Sequence, residues 1–401
     1  MSESQAKLKN LFHPGDGRIP PHLTGRQQEQ SCFRDCVDIL LDKASPDQNM
    51  IVYGPRGNGK TAMLRYLQKE ALEKTDNRLE IAWVTPRKME TLEGLARIIS
   101  GSSRKTLERI KSLGMSVGSG IAGFNAELDI SGATAVTEEL LQEKSSKTPF
   151  IIVVDEAHTL TPDMAGILLD ASQNVRGEGC PFFLVLAGTP NLRTELRRAN
   201  ATFWSRSAIF PLGRLSSEEA QEALTIPLKR HKVTFEREVS VEVSRRAHRY
   251  PYFIQIWGDC IANRLVATGK RKVTMDTIME VGKEVMFKCH GMYQDRYDEL
   301  LELDLHRLAA HVGQAFSETD KTHIPDKEFR ELVGKALQDQ GVSVTYESIL
   351  DNIRKLSNIG YVWEVVVAGD VHGEYPLLCY EPGIPSLMQY VGRQVLGQVR
   401  K

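Results

Sequence analysis

The spacing of apolar positions changes several times along this chain. Over residues 26–43 they recur at helical spacing, with Phe33, Val37, Leu40 and Leu41 on one face. Residues 49–53 then form an unbroken apolar block that runs into a glycine-rich turn and a second helical stretch, 61–73. Residues 81–85, 150–154 and 182–186 are similar short blocks. Strands buried on both faces read this way, and their alternation with helices predicts an α/β domain built on a parallel sheet. Residues 114–132 alternate small and apolar positions and predict an inserted β-hairpin, with Ile121, Phe124, Leu128 and Ile130 as its apolar side chains. After Pro211 the blocks cease. Residues 216–290 keep helical spacing from Ser216-Ser-Glu-Glu219 onward, a helix-start signal. The last stretch, 291–401, is helical to about Asn358, then gives the block 361–367 and a return over 374–380. Helices followed by a hairpin predict a winged helix-turn-helix.

Four regions follow: a flexible polar arm over 1–20, an α/β domain over 21–215, a helical lid over 216–290 and a winged-helix-like domain over 291–401. The length, 401 residues, suits two or three domains. Hydrophobic residues make up 41% and charged residues 26%, and the net charge is -1, so any nucleic-acid contact needs a local basic patch. The six cysteines are scattered, and Cys32 with Cys36 fits one helix face better than a zinc site. No apolar run reaches the ~20 residues of a membrane span. The polar start, MSESQAKLKN, lacks the apolar region of an export signal, and the cytoplasm is the expected compartment.

The chemistry lies at the strand ends. Gly54, Pro55, Arg56, Gly57, Asn58, Gly59, Lys60 and Thr61 match the pattern GxxxxGKT between a strand and a helix. Glycines let the backbone wrap phosphate oxygens, and a helix start adds its positive dipole end. Lys60 then reaches the β- and γ-phosphates, and the Thr61 hydroxyl ligates Mg2+. About ninety residues on, Ile151-Ile-Val-Val-Asp155-Glu156-Ala-His158 delivers Asp155 to hold the metal and Glu156 to orient or deprotonate the attacking water. ATP with Mg2+ is the expected ligand. His158 reads either as coupled to this site or as an exposed residue opening the next helix.

Four further segments carry a family resemblance: Pro21-His-Leu-Thr-Gly25-Arg26-Gln27, Leu186-Ala-Gly-Thr189, Trp204-Ser-Arg206-Ser and Tyr250-Pro-Tyr-Phe-Ile-Gln255. Together with the P-loop, residues ~20–290 resemble an AAA+ ATPase of the origin-recognition/initiator-like group, and are similar also to TniB-type transposition ATPases and STAND switches. The resemblance implies that Gly25 and Arg26 line the adenine pocket. It implies that Thr189 senses the γ-phosphate, and that Arg206 is an arginine finger given to a neighbouring subunit, with Arg193, Arg197 and Arg198 as nearby alternatives. It further implies a slow ATPase that assembles as a homo-oligomer on DNA or on a partner enzyme, in transposition, replication or mobile-element defence. The alternative is a STAND-like switch acting through protein partners without DNA. One departure stands out: the group usually has an arginine after the lid proline, where this chain has Tyr252, with Arg245, Arg246 or Arg249 as possible substitutes. The sequence DEAH also occurs in superfamily-two helicases, but the helical pattern after residue 216 leaves no room for a second RecA-like domain.

The winged-helix segment 346–358 is the expected recognition helix. Its basic residues are Arg354 and Lys355, against Glu347 and Asp351. From residue 301 onward there are 14 acidic and 10 basic residues, so protein docking and DNA binding are both open there.

Overall fold

A computed structural model describes residues 3–15, 17–76, 78–101, 126–200, 202–319, 322–367 and 377–399. The chain divides into two compact units. One comprises Arg26–Gly54 and Lys60–Leu212; the other comprises Met1–Gly25, Pro55–Gly59 and Gly213–Lys401.

The first unit is built on five strands: β1 (Asn49–Tyr53), β2 (Glu80–Val84), β3 (Phe150–Val154), β4 (Phe182–Gly188) and β5 (Ser207–Pro211). Their order is β2-β3-β4-β1-β5, and every pairing is parallel. Every residue of β3 and β4 is buried, as expected of a sheet with helices on both faces. The helices Gln27–Leu41, Lys60–Thr75 and Pro162–Gly177 flank it. Phe33 meets Phe183 across one face, while Leu168, Leu169 and Val175 pack in the core of the other. Four strands are those expected from the sequence. The fifth, β5, escapes the pattern because it is a short edge strand ending in Pro211, and an edge is where a sheet tolerates proline.

The expected hairpin falls largely outside the described residues. Residues 114–125 lie outside the described residues, and 126–132 open the helix Ala126–Lys147 instead of forming a strand. Its Thr134 and Thr137 hydroxyls bond back to the carbonyls of Ile130 and Ala133 and are satisfied within the helix.

In the second unit the helices Ser217–Arg230, Val239–Arg246 and Pro251–Thr268 lead, with the short parallel pair β6 (Thr234–Phe235) and β7 (Lys272–Val273), into a 28-residue helix, Met275–Glu302. The boundary expected at 290 falls inside that helix, which ends only at Leu303 and Asp304. Beyond it come His306–Thr319, β8 (Ile324–Pro325), Asp326–Asp339, Tyr346–Ile359, β9 (Val362–Val367) and β10 (Leu377–Pro382). The three strands form an antiparallel sheet in the order β8-β10-β9. Helix Tyr346–Ile359 starts at a capping box on Thr345 and stops at Gly360, φ 82. Lid and wing share one core, in which Tyr250, Ile254, Leu300, Leu308 and Tyr361 are buried.

The arm over 1–20 is docked rather than flexible. Leu8 and Phe12 are 1% and 2% exposed in the same core, and the Phe12 ring lies where a Cβ on Gly258 would stand, 2.6 Å away. Leu8 lies in the helix Glu3–Lys9, Leu11 and Phe12 follow it, and Gly258 leaves room for the Phe12 ring.

Candidate nucleotide site

At the carboxyl end of β1 the chain passes through Gly54, whose missing side chain is required: a Cβ there would stand 2.5 Å from the Leu212 carbonyl oxygen. Gly57 and Gly59 take φ of +86 and +84, a region that disfavours side chains and lets the loop turn back into helix Lys60–Thr75. Lys60 is 5% exposed and donates from Nζ to the Gly54 carbonyl at 2.7 Å. Next along the helix, the Thr61 hydroxyl donates to Asp155 Oδ2 at 2.8 Å. Asp155 follows β3 and is 7% exposed. Burial pushes its pKa up, and the Thr61 hydrogen bond opposes that shift. An ionised carboxylate held at such a position calls for a cation beside it.

Glu156 sits at φ 57, left-handed for a residue with a side chain, a strain typical of functional turns. Its side chain is 43% exposed. His158 settles the alternative left open by the sequence, since its side chain is only 12% exposed and its Nε2 lies 3.6 Å from Glu156 Oε2. On the other side, the Thr189 backbone N–H donates to His158 Nδ1 at 3.3 Å. Thr189, just past β4, is 2% exposed, and its hydroxyl has no hydrogen-bond partner among the described residues. Lys60, Thr61, Asp155, Glu156 and Thr189 thus all follow the carboxyl ends of adjacent strands, where open α/β sheets place ligands.

Arg206 lies elsewhere. It ends a short turn, Trp204–Arg206, immediately before β5, whose first residue pairs with the first residue of β1. It is exposed and makes no ion pair among the described residues. Five residues of strand, roughly 15 Å, separate it from the P-loop end of the sheet. Among the alternatives, Arg198 is paired with Glu195 at 3.1 Å, and Arg193 stacks over Trp204 at 5.8 Å.

In the second unit, the loop tip Pro55–Gly59 packs against lid residues. Tyr250, fully buried, donates its hydroxyl to the Arg56 carbonyl, and the Tyr252 N–H donates to the Gly57 carbonyl at 3.2 Å. A Cβ on Gly57 would meet Tyr250, Tyr252 and Met292 within 3.4 Å, and Arg56 faces Glu299 at 3.9 Å. Of the three candidate substitutes for a lid arginine, Arg245 and Arg246 are occupied: both bond Glu242, at 2.8 and 2.6 Å, and hold its carboxyl down at about 2. Of the expected adenine-pocket residues, Gly25 belongs to this unit. A Cβ on it would stand 2.5 Å from Glu219 Oε1, and neighbouring Thr24 donates to Glu222 at 2.9 Å. Arg26, at φ 61, opens the helix Gln27–Leu41 of the first unit.

A family model described as an AAA domain matches residues 42–196. Over nearly its whole length the fold is similar to that of solved structures. The Aeropyrum pernix ORC2 protein, solved as ADPNP–ADP complexes, is 14% identical over 98% of each chain with a TM-score of 0.57. A Walker-type ATPase of Pyrococcus abyssi is 12% identical over 96% of this chain and 99% of its own, with a TM-score of 0.56. No curated protein matches in sequence. Among the described residues, no helix is long and apolar enough to cross a membrane. What a sequence reading misses here is the coupling: His158 between Glu156 and Thr189, and Tyr250 on the Arg56 carbonyl. The signals were a histidine three residues after Asp155 and a tyrosine just before the lid proline.

Proposed function

We propose that this chain is an ATP-hydrolysing assembly ATPase whose subunits complete one another's sites. The observation that supports it best is the separation within one sheet: phosphate-site residues at the carboxyl ends of the strands, and an exposed Arg206 at the amino end of β5. A guanidinium so placed serves a neighbour's site and not its own. In this reading the Gly54–Thr61 loop binds the phosphates, and Gly25 with Arg26 flank the base. Thr61 and Asp155 fit magnesium, a hydroxyl and a buried carboxylate 2.8 Å apart. When bound, the metal offsets charge on the β- and γ-phosphates. Lys60 adds a fixed positive charge, Glu156 takes a proton from the attacking water, and the Thr189 hydroxyl bonds a γ-phosphate oxygen.

The tail supports a protein partner over DNA reading by its recognition helix. Lys355 and Arg354, the basic residues of that helix, both face Asp351, at 2.8 and 3.5 Å. The cytoplasm is the proposed compartment, and transposition, replication or mobile-element defence the proposed setting. A STAND-like switch is the second reading, favoured by the loop tip held through Tyr250 and Tyr252.

Turnover measured against protein concentration, with and without DNA, tests both. Specific activity that rises with concentration, unaffected by DNA, is the expected result. Activity linear in protein sinks the shared site and leaves the switch; stimulation by DNA sinks the protein-only tail.

A further inference from the structure

We infer that His158 is a positioning residue that ties Glu156 to the Thr189 loop, so that the group facing the attacking water and the group facing the terminal phosphate are set together. The inference rests on the ATPase reading above.

Its geometry comes from three places. The Thr189 N–H donates to His158 Nδ1 at 3.3 Å, so this nitrogen is an acceptor and the neutral ring carries its proton on Nε2. That proton faces Glu156 Oε2, 3.6 Å away. The ring is also held in place from below. Gly188, the last residue of β4, has no Cβ, and one built there would stand 3.1 Å from Nδ1 and 3.2 Å from Leu192 Cβ. The imidazole therefore occupies a slot made by a glycine, with one nitrogen on the loop after β4 and the other on the turn after β3.

Glu156 needs such a partner. Its main chain is fixed, since Thr159 donates to the Glu156 carbonyl from both its N–H and its hydroxyl at 2.9 Å. The carboxylate itself is 43% exposed, and a half-exposed glutamate keeps most of its rotamer freedom. Among the described residues, His158 is the side chain that meets it. Thr189 gains as well. Its backbone is anchored by the ring while its buried hydroxyl has no described partner and stays available to a phosphate oxygen. A shift of the loop when the terminal phosphate arrives or leaves would thus move the ring, and the ring would re-aim Glu156.

The test uses the full chain with ATP and magnesium and compares His158→Ala, His158→Asn and His158→Gln, each alone and combined with Glu156→Gln. We expect Ala and Asn to lower kcat on the order of 10-fold, a fraction of what a general base supplies. ATP affinity and Tm should stay near wild type. Gln, whose amide reaches the place of Nε2, should retain more turnover than Asn. Against a Glu156→Gln background, His158→Ala should cause no further loss of the residual rate, since the two act as one unit. An equal further loss there, or Asn matching Gln, overturns the link. If Ala fails to fold, the Asn and Gln pair decides alone. Glu156→Gln at wild-type turnover overturns the underlying role of Glu156 and the link with it. His158→Ala at wild-type turnover beside an impaired Glu156→Gln overturns the link only.

Discussion

The two units treat their charged and polar groups differently. At the carboxyl edge of the five-stranded sheet, Asp155 is buried against its own preference for solvent, Thr189 has a hydroxyl without a described partner, and Arg206 at the other edge has no ion pair among the described residues. In the lid and wing, cations that could have served a ligand are matched nearby. Arg245 and Arg246 hold Glu242, Arg214 bonds the Pro382 carbonyl and faces Glu381, and Asp351 faces Arg354 and Lys355. A buried group left unmatched costs stability, so the Thr189 hydroxyl marks a place where something else supplies the match, whereas Arg206 is exposed and open to solvent or a partner. Groups matched within the fold mark structure. On this comparison the proposed chemistry belongs to the sheet unit, and the proposed sensing and docking to the lid and wing unit.

The largest expected effect lies in the sheet unit. Lys60→Ala should abolish tight ATP binding, because it removes the buried cation at the head of helix Lys60–Thr75. Calorimetric titration with ATP checks it, and wild-type affinity would mean that the loop is not a phosphate site. Arg206→Ala comes next, with turnover down about 10³-fold, the low end for an arginine finger, and ATP affinity spared. Mixing it with Glu156→Gln should restore part of the activity, since an assembly can then pair an intact Glu156 with an intact Arg206. No rescue at any ratio would break the idea that an unmatched arginine serves a neighbour. Glu156→Gln alone should keep ATP binding and lose turnover by about 10²-fold.

How much of this was legible follows from where each signal lives. The P-loop and the Asp155–Glu156 pair are local patterns, a strand, a turn and a fixed residue order, and the structure has strands and a helix at those places. β5 was not legible because its five residues end in proline and it carries no alternation. The arm over 1–20 looked mobile because its polar residues dominate, while its docking depends on Leu8 and Phe12 finding a glycine about 245 residues away. The lid boundary was misplaced because the 28-residue helix runs unbroken through Gly282 and Gly291. The hairpin was misread over 126–132 because small and apolar residues in alternation also fit a helix whose threonines bond their own backbone. His158 and Tyr250 were visible as residues but not as links, since each link joins positions about 30 or more residues apart.

A smaller effect probes the sensing role of the second unit. Tyr250→Phe removes the hydroxyl that meets the Arg56 carbonyl and should cost about 1 kcal/mol, read as a Tm lower by a few degrees. If the lid holds the loop tip in its binding shape, ATP affinity should also fall by roughly the same energy, about fivefold. A lowered Tm with unchanged affinity would make Tyr250 purely structural and weaken the switch reading.

The smallest effect is the one that most sharpens the contrast, because the expected result is nearly none. Arg354→Ala with Lys355→Ala removes both basic residues of the wing's recognition helix, yet each already faces Asp351 within the same turn or two. Paired in this way, they have little net charge to offer a phosphate backbone. The double variant should therefore change any DNA affinity by less than twofold and leave its salt dependence alone. If instead these residues touch phosphates, affinity should drop and the slope of log affinity against log salt should fall by about one per residue. Asp351→Asn runs the same comparison in reverse. It frees both cations, so a helix that lies against DNA should bind more tightly, whereas a helix that docks a protein should show no change in DNA binding at any salt concentration. Fluorescence anisotropy over a salt series separates the two, and a matched rise and fall across this pair of variants would return the wing to the class of DNA-reading surfaces.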